Sequence, residues 1–330
     1  MKNKVIVTGG AGYIGIHTIV DLVENNYEPI IIDNFSNSSI KNILGAENIL
    51  NRKLKVFNID CTQEEQVKEV FEIEKNIVSV IHFAAFKSVE ESVKNPIKYK
   101  ENNIGSLHVM LNLCVRYNVK KFIFSSSCTV YGETNNQPVS EKIPFGKAQS
   151  PYAETKQTCE HILANHSINS VSLRYFNPIG SHYSGLIGDR SKDQPSNLIP
   201  ILTSVAIGKY EKLNVYGGDY NTPDGSCIRD YIHVTDLAKS HIKALKYLHK
   251  NNGKHIFNIG TGRGHSVLEV INFFNNANNL NIKYEITSRR DGDIEQIYAD
   301  STLAKKELNW DAKITIEKAM KDAWNWELKK

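Results

Sequence analysis

The sequence predicts an α/β fold, a doubly wound, Rossmann-like parallel sheet followed by a smaller mixed C-terminal lobe. Three observations carry that expectation. Short β-branched runs alternate with longer segments of helical period through the first half of the chain, the pattern of βαβ units that bury a parallel sheet under helices on both faces. A glycine-rich turn joins the first run to the first helical segment. After about Asn177 the alternation loosens into Gly-, Pro- and Asp-rich stretches such as NPIGSHYSGLIGD and YGGDYNTPDGS. The expected division is therefore residues 1–176 for the first domain and 177–330 mainly for a second lobe, with some later segments returning to the first.

Taken in order, the strand candidates are KVIVT (4–8), PIIID (29–33), LKVFNID (54–60), VSVIHFA (78–84), KKFIFSSS (120–127) and SVSLRYF (170–176). Between them lie YIGIHTIVDLVENN, QEEQVKEVFEIEK, NNIGSLHVMLNLCVRYN and YAETKQTCEHILANH, whose apolar residues recur at three and four, the spacing of one helix face. The Asn-rich tract 275–279 reads as a helix end. In such sheets ligands bind beyond the carboxyl ends of the strands, so chemistry is expected just after each run.

Composition narrows the classes. At 330 residues, 41% hydrophobic and 23% charged, the chain is too apolar for disorder and long enough for two lobes. Forty Lys+Arg against 36 Asp+Glu leave a formal charge of +4 with the basic residues scattered, so nucleic acid is not an expected partner. No window approaches the roughly 18 consecutive apolar residues of a membrane span. Met1-Lys2-Asn3-Lys4 also runs straight into a short apolar segment, so neither a membrane partner nor a leader is expected. Five cysteines at wide spacings, with no C-x-x-C pair, predict neither disulfides nor a metal site. A reduced, cytoplasmic protein is the expectation.

The turn V-T-G-G-A-G-Y-I-G (7–15) places glycines at 9, 12 and 15. They permit a tight turn and a close approach to a pyrophosphate, whose charge then sits at the positive end of the following helix. Strand two is expected to end at Asp33, eighteen positions beyond Gly15, where a carboxylate accepts from the ribose hydroxyls of an adenosine. The same carboxylate repels a 2'-phosphate, and Asn34-Phe35 offers no cation, so NAD is the expected cofactor. Asp60, at the expected end of strand three, suits the adenine amino group or, equally, a helix N-cap. A rival glycine loop, Gly260-Thr261-Gly262-Arg263-Gly264, is one residue short of the fingerprint and reads as a structural turn.

Tyr152-Ala153-Glu154-Thr155-Lys156 sets a phenol and an ammonium four residues apart, on one face of a helix. A neighbouring cation favours phenolate and is expected to lower the pKa of Tyr152, making it a general base. Among fifteen tyrosines about one accidental Y-x-x-x-K is expected, and Tyr117 to Lys121 is such a match. There the tyrosine closes a helix and the lysine lies in the next strand, so the two share no face. Ser125-Ser126-Ser127 ends strand five, and a Ser127 hydroxyl at that edge suits proton sharing with Tyr152 and a substrate.

With G-x-x-G-x-x-G, the terminal serine and Y-x-x-x-K in this order, the chain resembles the extended short-chain dehydrogenase/reductases. More narrowly, TGGAGYIG, DNFSNS, HFAAFKSVEES, SSSCTVYG, SPYAETK, LRYFNPIG and RDYIHVTDLA resemble the UDP-glucose 4-epimerase family from about residue 3 to the Trp-rich C-terminal helix. The resemblance implies that Tyr13 and Ile14 line the pyrophosphate. Asp33, Asn34, Phe35, Ser36, Asn37 and Ser38 hold the adenosine ribose and its surroundings, and Asp60 with Cys61 bounds the adenine. Phe83, Ala84, Ala85, Phe86, Lys87 and Asn102, with Phe176, follow the cofactor toward the nicotinamide. Lys156 bridges the nicotinamide ribose and activates Tyr152. On the sugar-nucleotide side the matching positions are Asn177, Asn197, Leu198, Asn214, Val215, Tyr216, Arg229, Arg290 and Asp293.

Arg229 and Arg290 offer planar forks suited to diphosphate oxygens, although pairing with their neighbours Asp230 and Asp291 is the simpler reading of each. The implied reaction joins UDP-galactose and UDP-glucose by transient oxidation at the sugar 4-position with NAD held tightly, in a homodimer. Ile297 falls where relatives carry either a bulky tyrosine or a small residue, so activity on UDP-N-acetylhexosamines stays open. Two other readings stand beside this one, a nucleotide-sugar 4,6-dehydratase and a catalytically silent NAD-binding regulator. The first needs an Asp-Glu pair after the strand-five hydroxyl, where this chain has Cys128-Thr129-Val130, and the second typically lacks the Tyr or the Lys.

Overall fold

The computed structural model describes residues 3–192, 197–290 and 292–330. The first half runs β1 (Asn3–Thr8), α1 (Tyr13–Glu24), β2 (Tyr27–Ile32), α2 (Ile40–Leu50), β3 (Lys55–Phe57), α3 (Glu64–Ile73), β4 (Ile77–His82), α4 (Val89–Lys94), α5 (Pro96–Arg116), β5 (Lys121–Ser127), α6 (Pro151–Asn165) and β6 (Asn169–Tyr175). There follow β7 (Asn177–Ile179), α7 (Leu198–Ala206), β8 (Leu213–Tyr216), β9 (Ile228–His233), α8 (Val234–Leu248), β10 (Lys254–Ile259) and β11 (Gly264–Ser266). The chain closes with α9 (Val267–Asn278), β12 (Tyr284–Thr287), β13 (Gln296–Ile297), α10 (Thr302–Leu308) and α11 (Ile316–Lys329).

Seven strands form one parallel sheet in the order β10-β6-β5-β4-β1-β2-β3, the doubly wound arrangement expected. Side chains alternate across it. Val5, Val7, Ile31, Ile81, Ile123 and Leu173 pack with α1 and α8 on one face, while Ile6, Ile30, Val80, Phe122 and Phe124 pack with α3, α5 and α6 on the other. Burial on both faces explains why these runs read as unbroken β-branched segments. The seventh strand, β10, joins from the later half beside β6, and α8 lies against α1, so those segments return to the large sheet. A smaller sheet has β9 between β11 and β13 with β7 also paired to β9, and β8 pairs with β12.

The boundaries differ from the sequence expectation in instructive places. The second strand stops at Ile32, so Asp33 is the first residue beyond it. The third has only three residues and ends at Phe57, because Asn58-Ile59-Asp60 turns away to build a loop. The two short helices α2 and α4 have no expected counterpart, α4 being too short for a periodic signal. The Gly260–Gly264 loop is a structural turn, as expected: its Thr261 and Gly262 N–H groups donate to the carboxylate of Asp230 at 2.9 and 3.0 Å, occupying what a phosphate would need. The Asn-rich tract closes α9, with Asn279 in the left-handed conformation. All five cysteines are buried and free, and no helix among the described residues is long and apolar enough to cross a membrane.

Candidate active site

A cavity of about 430 Å3 opens along the carboxyl ends of β1, β2, β4, β5 and β6, where a doubly wound sheet is expected to bind its ligands. Gly9 has φ +66°, and a Cβ there would stand 2.8 Å from the Ala84 nitrogen. A Cβ on Gly15 would stand 2.5 Å from the Gly9 carbonyl oxygen, so backbone meets backbone in this turn. Gly12 caps α1 without a side-chain bond and the first turn holds no acidic residue, which leaves its N–H groups and the positive end of the helix for an anion. These backbone cradles fit the pyrophosphate of a dinucleotide.

Asp33 is nearly buried. Its Oδ2 accepts from the Ala11 N–H at 2.9 Å, and its Oδ1 from the Phe35 N–H at 2.9 Å and the Ser38 hydroxyl at 2.7 Å. A carboxylate has about four acceptor sites, so one remains toward the cavity for a ribose hydroxyl. Asp60 does not cap α3, whose N-cap is Gln63. It turns back on Thr62, accepting from its N–H at 2.8 Å and its hydroxyl at 2.7 Å, and accepts from the Asn34 amide at 2.9 Å. Burial raises its pKa, but those bonds outweigh burial and hold the carboxyl below its usual range. Tyr13, Ile14, Asn34, Ser36, Asn37, Ser38, Cys61, Phe83, Ala84, Ala85, Phe86, Lys87 and Asn102 line the same cavity, whereas Phe35, at φ +53°, packs against the sheet core.

At the inner end stand Ser127, Tyr152, Lys156, Phe176 and Asn177. Ser150 caps α6, accepting from the Ala153 N–H at 3.2 Å, and Pro151 opens the helix, so Tyr152 and Lys156 occupy successive turns of one face. The Lys156 ammonium lies 5.7 Å from the Tyr152 ring and 4.9 Å over Phe124, and donates to the Ser125 carbonyl at 2.6 Å. Burial lowers its pKa to about 8, against the opposing pull of Cys159 and Glu160. The expectation that this cation lowers the Tyr152 pKa is not met. Burial pushes the phenol well above its usual value, and only the Ser127 hydroxyl works the other way. The desolvated lysine donates to the Ser125 carbonyl, and burial of the phenol, not this cation, sets the direction of the tyrosine's shift. The decoy pair is separate as expected: Tyr117 closes α5 and donates to Glu72, and Lys121 opens β5.

Most of the remaining sugar-nucleotide positions lie outside the cavity wall. Asn197, the N-cap of α7, does line the cavity and makes no capping bond, while Leu198 packs against the core of the smaller lobe. On β8, Asn214 and Tyr216 face outward and Val215 faces that core, 1% exposed, so its side chain is not available to a ligand. Arg290 lies 5.4 Å from the Tyr216 ring and forks onto Asp293 at 2.8 and 3.2 Å; Arg229 stands 3.8 Å from the same carboxylate. Arg229 therefore does not pair with Asp230, which serves the glycine turn, and Asp291 lies outside the described residues. Ile297 is buried against Cys128, Val130, Tyr131 and Phe176.

Several residues of the site escaped sequence reasoning. Residues 186–192 cross the cavity as a strap: Asn42 donates to the Gly188 carbonyl at 3.1 Å, Lys192 donates from its N–H to Asn37 at 2.7 Å and from its ammonium to the Phe35 carbonyl at 2.5 Å, and Asp189 lies 3.6 Å from Lys87. No periodicity marks this stretch, so only the fold reveals it. Asn103, one residue past the expected Asn102, holds both the N–H and the carbonyl of Phe86, at 2.8 and 3.1 Å, and so fixes the loop after β4.

Comparison with known proteins agrees with this geometry. The family model described as GDP-mannose 4,6 dehydratase matches residues 6–323. A UDP-glucose 4-epimerase of Dictyostelium discoideum is 47% identical over 333 residues, 99% of this chain and 96% of that protein. The crystal structure of UDP-glucose 4-epimerase from Bifidobacterium longum in complex with NAD+ and UDP superposes with a TM-score of 0.95 at 44% identity, covering 99% of this chain and 98% of that one. The UDP-Glc/GlcNAc 4-epimerase from Campylobacter jejuni matches with a TM-score of 0.84 at 35% identity, each chain covered to 99%. With near-complete coverage at such identities, and with Cys128 and Thr129 where a dehydratase would need carboxylates, the chain belongs to the UDP-glucose 4-epimerase family.

Proposed function

We propose that the chain interconverts UDP-galactose and UDP-glucose by transient oxidation at the sugar 4-position, with NAD kept bound throughout. The observation that carries this reading is the convergence of Ser127, Tyr152 and Lys156 at the inner end of a cavity whose outer end is the glycine turn and Asp33. Bound NAD supplies reversible acceptance of the hydrogen on sugar carbon 4 and, when oxidised, a positive charge near the phenol. In this reading Tyr152 takes the proton of the 4-hydroxyl, directly or through Ser127, and returns it to the same oxygen when hydrogen comes back to the opposite face of carbon 4. Burial alone keeps that phenol protonated, so its role as base requires added positive charge in the cleft. Lys156, held by the Ser125 carbonyl, orients toward the ribose side and keeps charge close.

Arg229 and Arg290 hold the diphosphate, exchanging Asp293 for phosphate oxygens, and Asn197 with the free first turn of α7 adds donors. Holding the nucleotide, not the hexose, leaves the sugar free to present either face. Residues 1–176 act as the NAD-holding domain and 177–330 mainly as the UDP-sugar lobe, a division that fits the return of β10 and α8. Activity on UDP-N-acetylhexosamines belongs to the same reading, with Ile297 as the residue that sets its extent. The protein works in the cytoplasm as a homodimer; Ile97 and Val115 on α5, each more than half exposed, are apolar side chains available to a second copy. Incubation with UDP-galactose tests the activity: UDP-glucose of unchanged mass supports it, and a dehydrated keto sugar transfers the chain to the dehydratases.

A further inference from the structure

The face of α6 that carries Tyr152 and Lys156 continues one turn further to Glu160. Most of what docks this helix onto the sheet is apolar: Cys159 and Leu163 pack with Leu111, Phe122 and Phe124. Such contacts are non-directional and tolerate small slides of a helix along a strand. Glu160 is different. It is 4% exposed, and Arg174 forks onto it with Nε to Oε1 at 3.0 Å and Nη2 to Oε2 at 2.7 Å. The Ser126 hydroxyl donates to the same Oε1.

Ser126 and Arg174 are register partners on adjacent parallel strands, β5 and β6, and the next rung of that ladder is Ser127 and Tyr175. Glu160 is thus bound one rung before the serine that meets Tyr152. The fork is also braced from behind. The Arg174 guanidinium lies 4.8 Å from the Tyr131 ring and 5.2 Å from the Phe145 ring, and the Tyr131 hydroxyl donates to Asn258 Oδ1 at 2.6 Å. Asn258 in turn donates to the Val139 carbonyl at 2.9 Å, and Val139 bonds on both sides to the 298–300 segment next to Ile297. Nη1 of Arg174 is buried without a partner, a cost that apolar packing would avoid. A buried ion pair is weak evidence for stability, so a positional role accounts for it better.

We propose that Glu160 and Arg174 are positioning residues for the reaction, fixing where α6 stands along β5 so that Tyr152 and Lys156 meet Ser127 in register. This rests on the reading of Tyr152 and Lys156 given above. The fork has one geometry, and Lys156, one turn nearer the reacting end, is bonded to β5 by its Ser125 carbonyl, so two successive turns of the helix are tied to successive strand residues. Neither Glu160 nor Arg174 lines the cavity, so the pair acts through the residues that do.

Three variants test the role: Glu160→Gln, Arg174→Lys, and the apolar pair Glu160→Met with Arg174→Met. The expected result is a fall in kcat of roughly a hundred-fold, the scale of a misplacement of about 1 Å. KM for UDP-galactose and calorimetric affinity for UDP should stay within about threefold, since uniform binding is untouched. The Met pair should melt within about 4 °C of the parent, as apolar replacement of a buried pair allows, yet keep the low kcat. A folded Met pair with normal kcat would overturn the proposal, as would KM and UDP affinity worsening in step with kcat. If the Gln and Met proteins do not fold, Arg174→Lys decides, because it keeps the charge and loses only the fork. Tyr152→Phe made alongside separates the two levels: normal turnover there removes the reading of Tyr152, whatever the Glu160 variants show.

Discussion

Lys156 donates to the carbonyl of Ser125 at 2.6 Å, and that bond ties the lysine to the strand that ends at Ser127. The ammonium is thereby committed to the sheet, with Tyr152 5.7 Å away measured to its ring. The tyrosine beside it is a buried phenol whose pKa burial raises well above its usual value.

Removing that hydroxyl should stop the chemistry and spare the binding. Tyr152→Phe is expected to lower kcat by about two orders of magnitude or more, the upper range for one general base, while bound nucleotide, read by absorbance of the denatured supernatant, stays at the parent level. Parallel loss of bound nucleotide would mean that the residue is part of the binding wall instead.

Ile297 should govern how large a sugar fits. It is 3% exposed and packs beside Phe176, so Ile297→Ala opens space next to the inner cavity at a cost of roughly 2–4 kcal/mol. The ratio of kcat/KM for UDP-N-acetylgalactosamine to that for UDP-galactose is expected to rise at a temperature where the variant is folded. An unchanged ratio would take Ile297 out of the sugar site.

The strap over the cavity should slow the escape of the cofactor. Lys192 is exposed, and Lys192→Ala removes its bond to the Phe35 carbonyl with an expected stability change within about 0.5 kcal/mol. Exchange of bound nucleotide against labelled NAD should quicken several-fold; equal exchange rates would show that the strap plays no part in retention.

Stability should fall on mild acidification. Burial lowers the pKa of His17 and His82 to about 3 and that of His241 to about 4. Their unfolded values lie near 6.5, so between about pH 6.5 and 4 the unfolded chain binds more protons and stability is lost as pH falls, at about 1.4 kcal/mol per pH unit for each net proton. Asp21, raised by burial to about 6, and Glu141 and Asp230, also raised by burial, work the opposite way, but burial lowers His166, His182 and His249 as well, so the histidines outnumber the raised carboxyls. Urea midpoints at pH 7, 6 and 5 should therefore decline. A flat series contradicts the assignment.

Much of this molecule was legible beforehand because its signals are local. The leading strands β1, β2 and β4 are apolar, β-branched runs, since both faces of the sheet are covered, and the glycine turn and Tyr152/Lys156 are short motifs fixed by backbone geometry. What stayed hidden depends on contacts far apart in sequence. Asp60 could not be placed because β3 ends three residues early, and the strap is defined only by its bonds to Asn37 and Asn42. The height of the Tyr152 pKa follows from burial, which spacing alone does not encode.

In the proposed reaction hydrogen leaves sugar carbon 4 and returns to the same molecule. UDP-galactose deuterated at that carbon, given to the purified protein with unlabelled NAD in the medium, measures it directly. UDP-glucose should carry deuterium still at carbon 4, with none in the free cofactor. Label lost to water or washed into the free pool would contradict it.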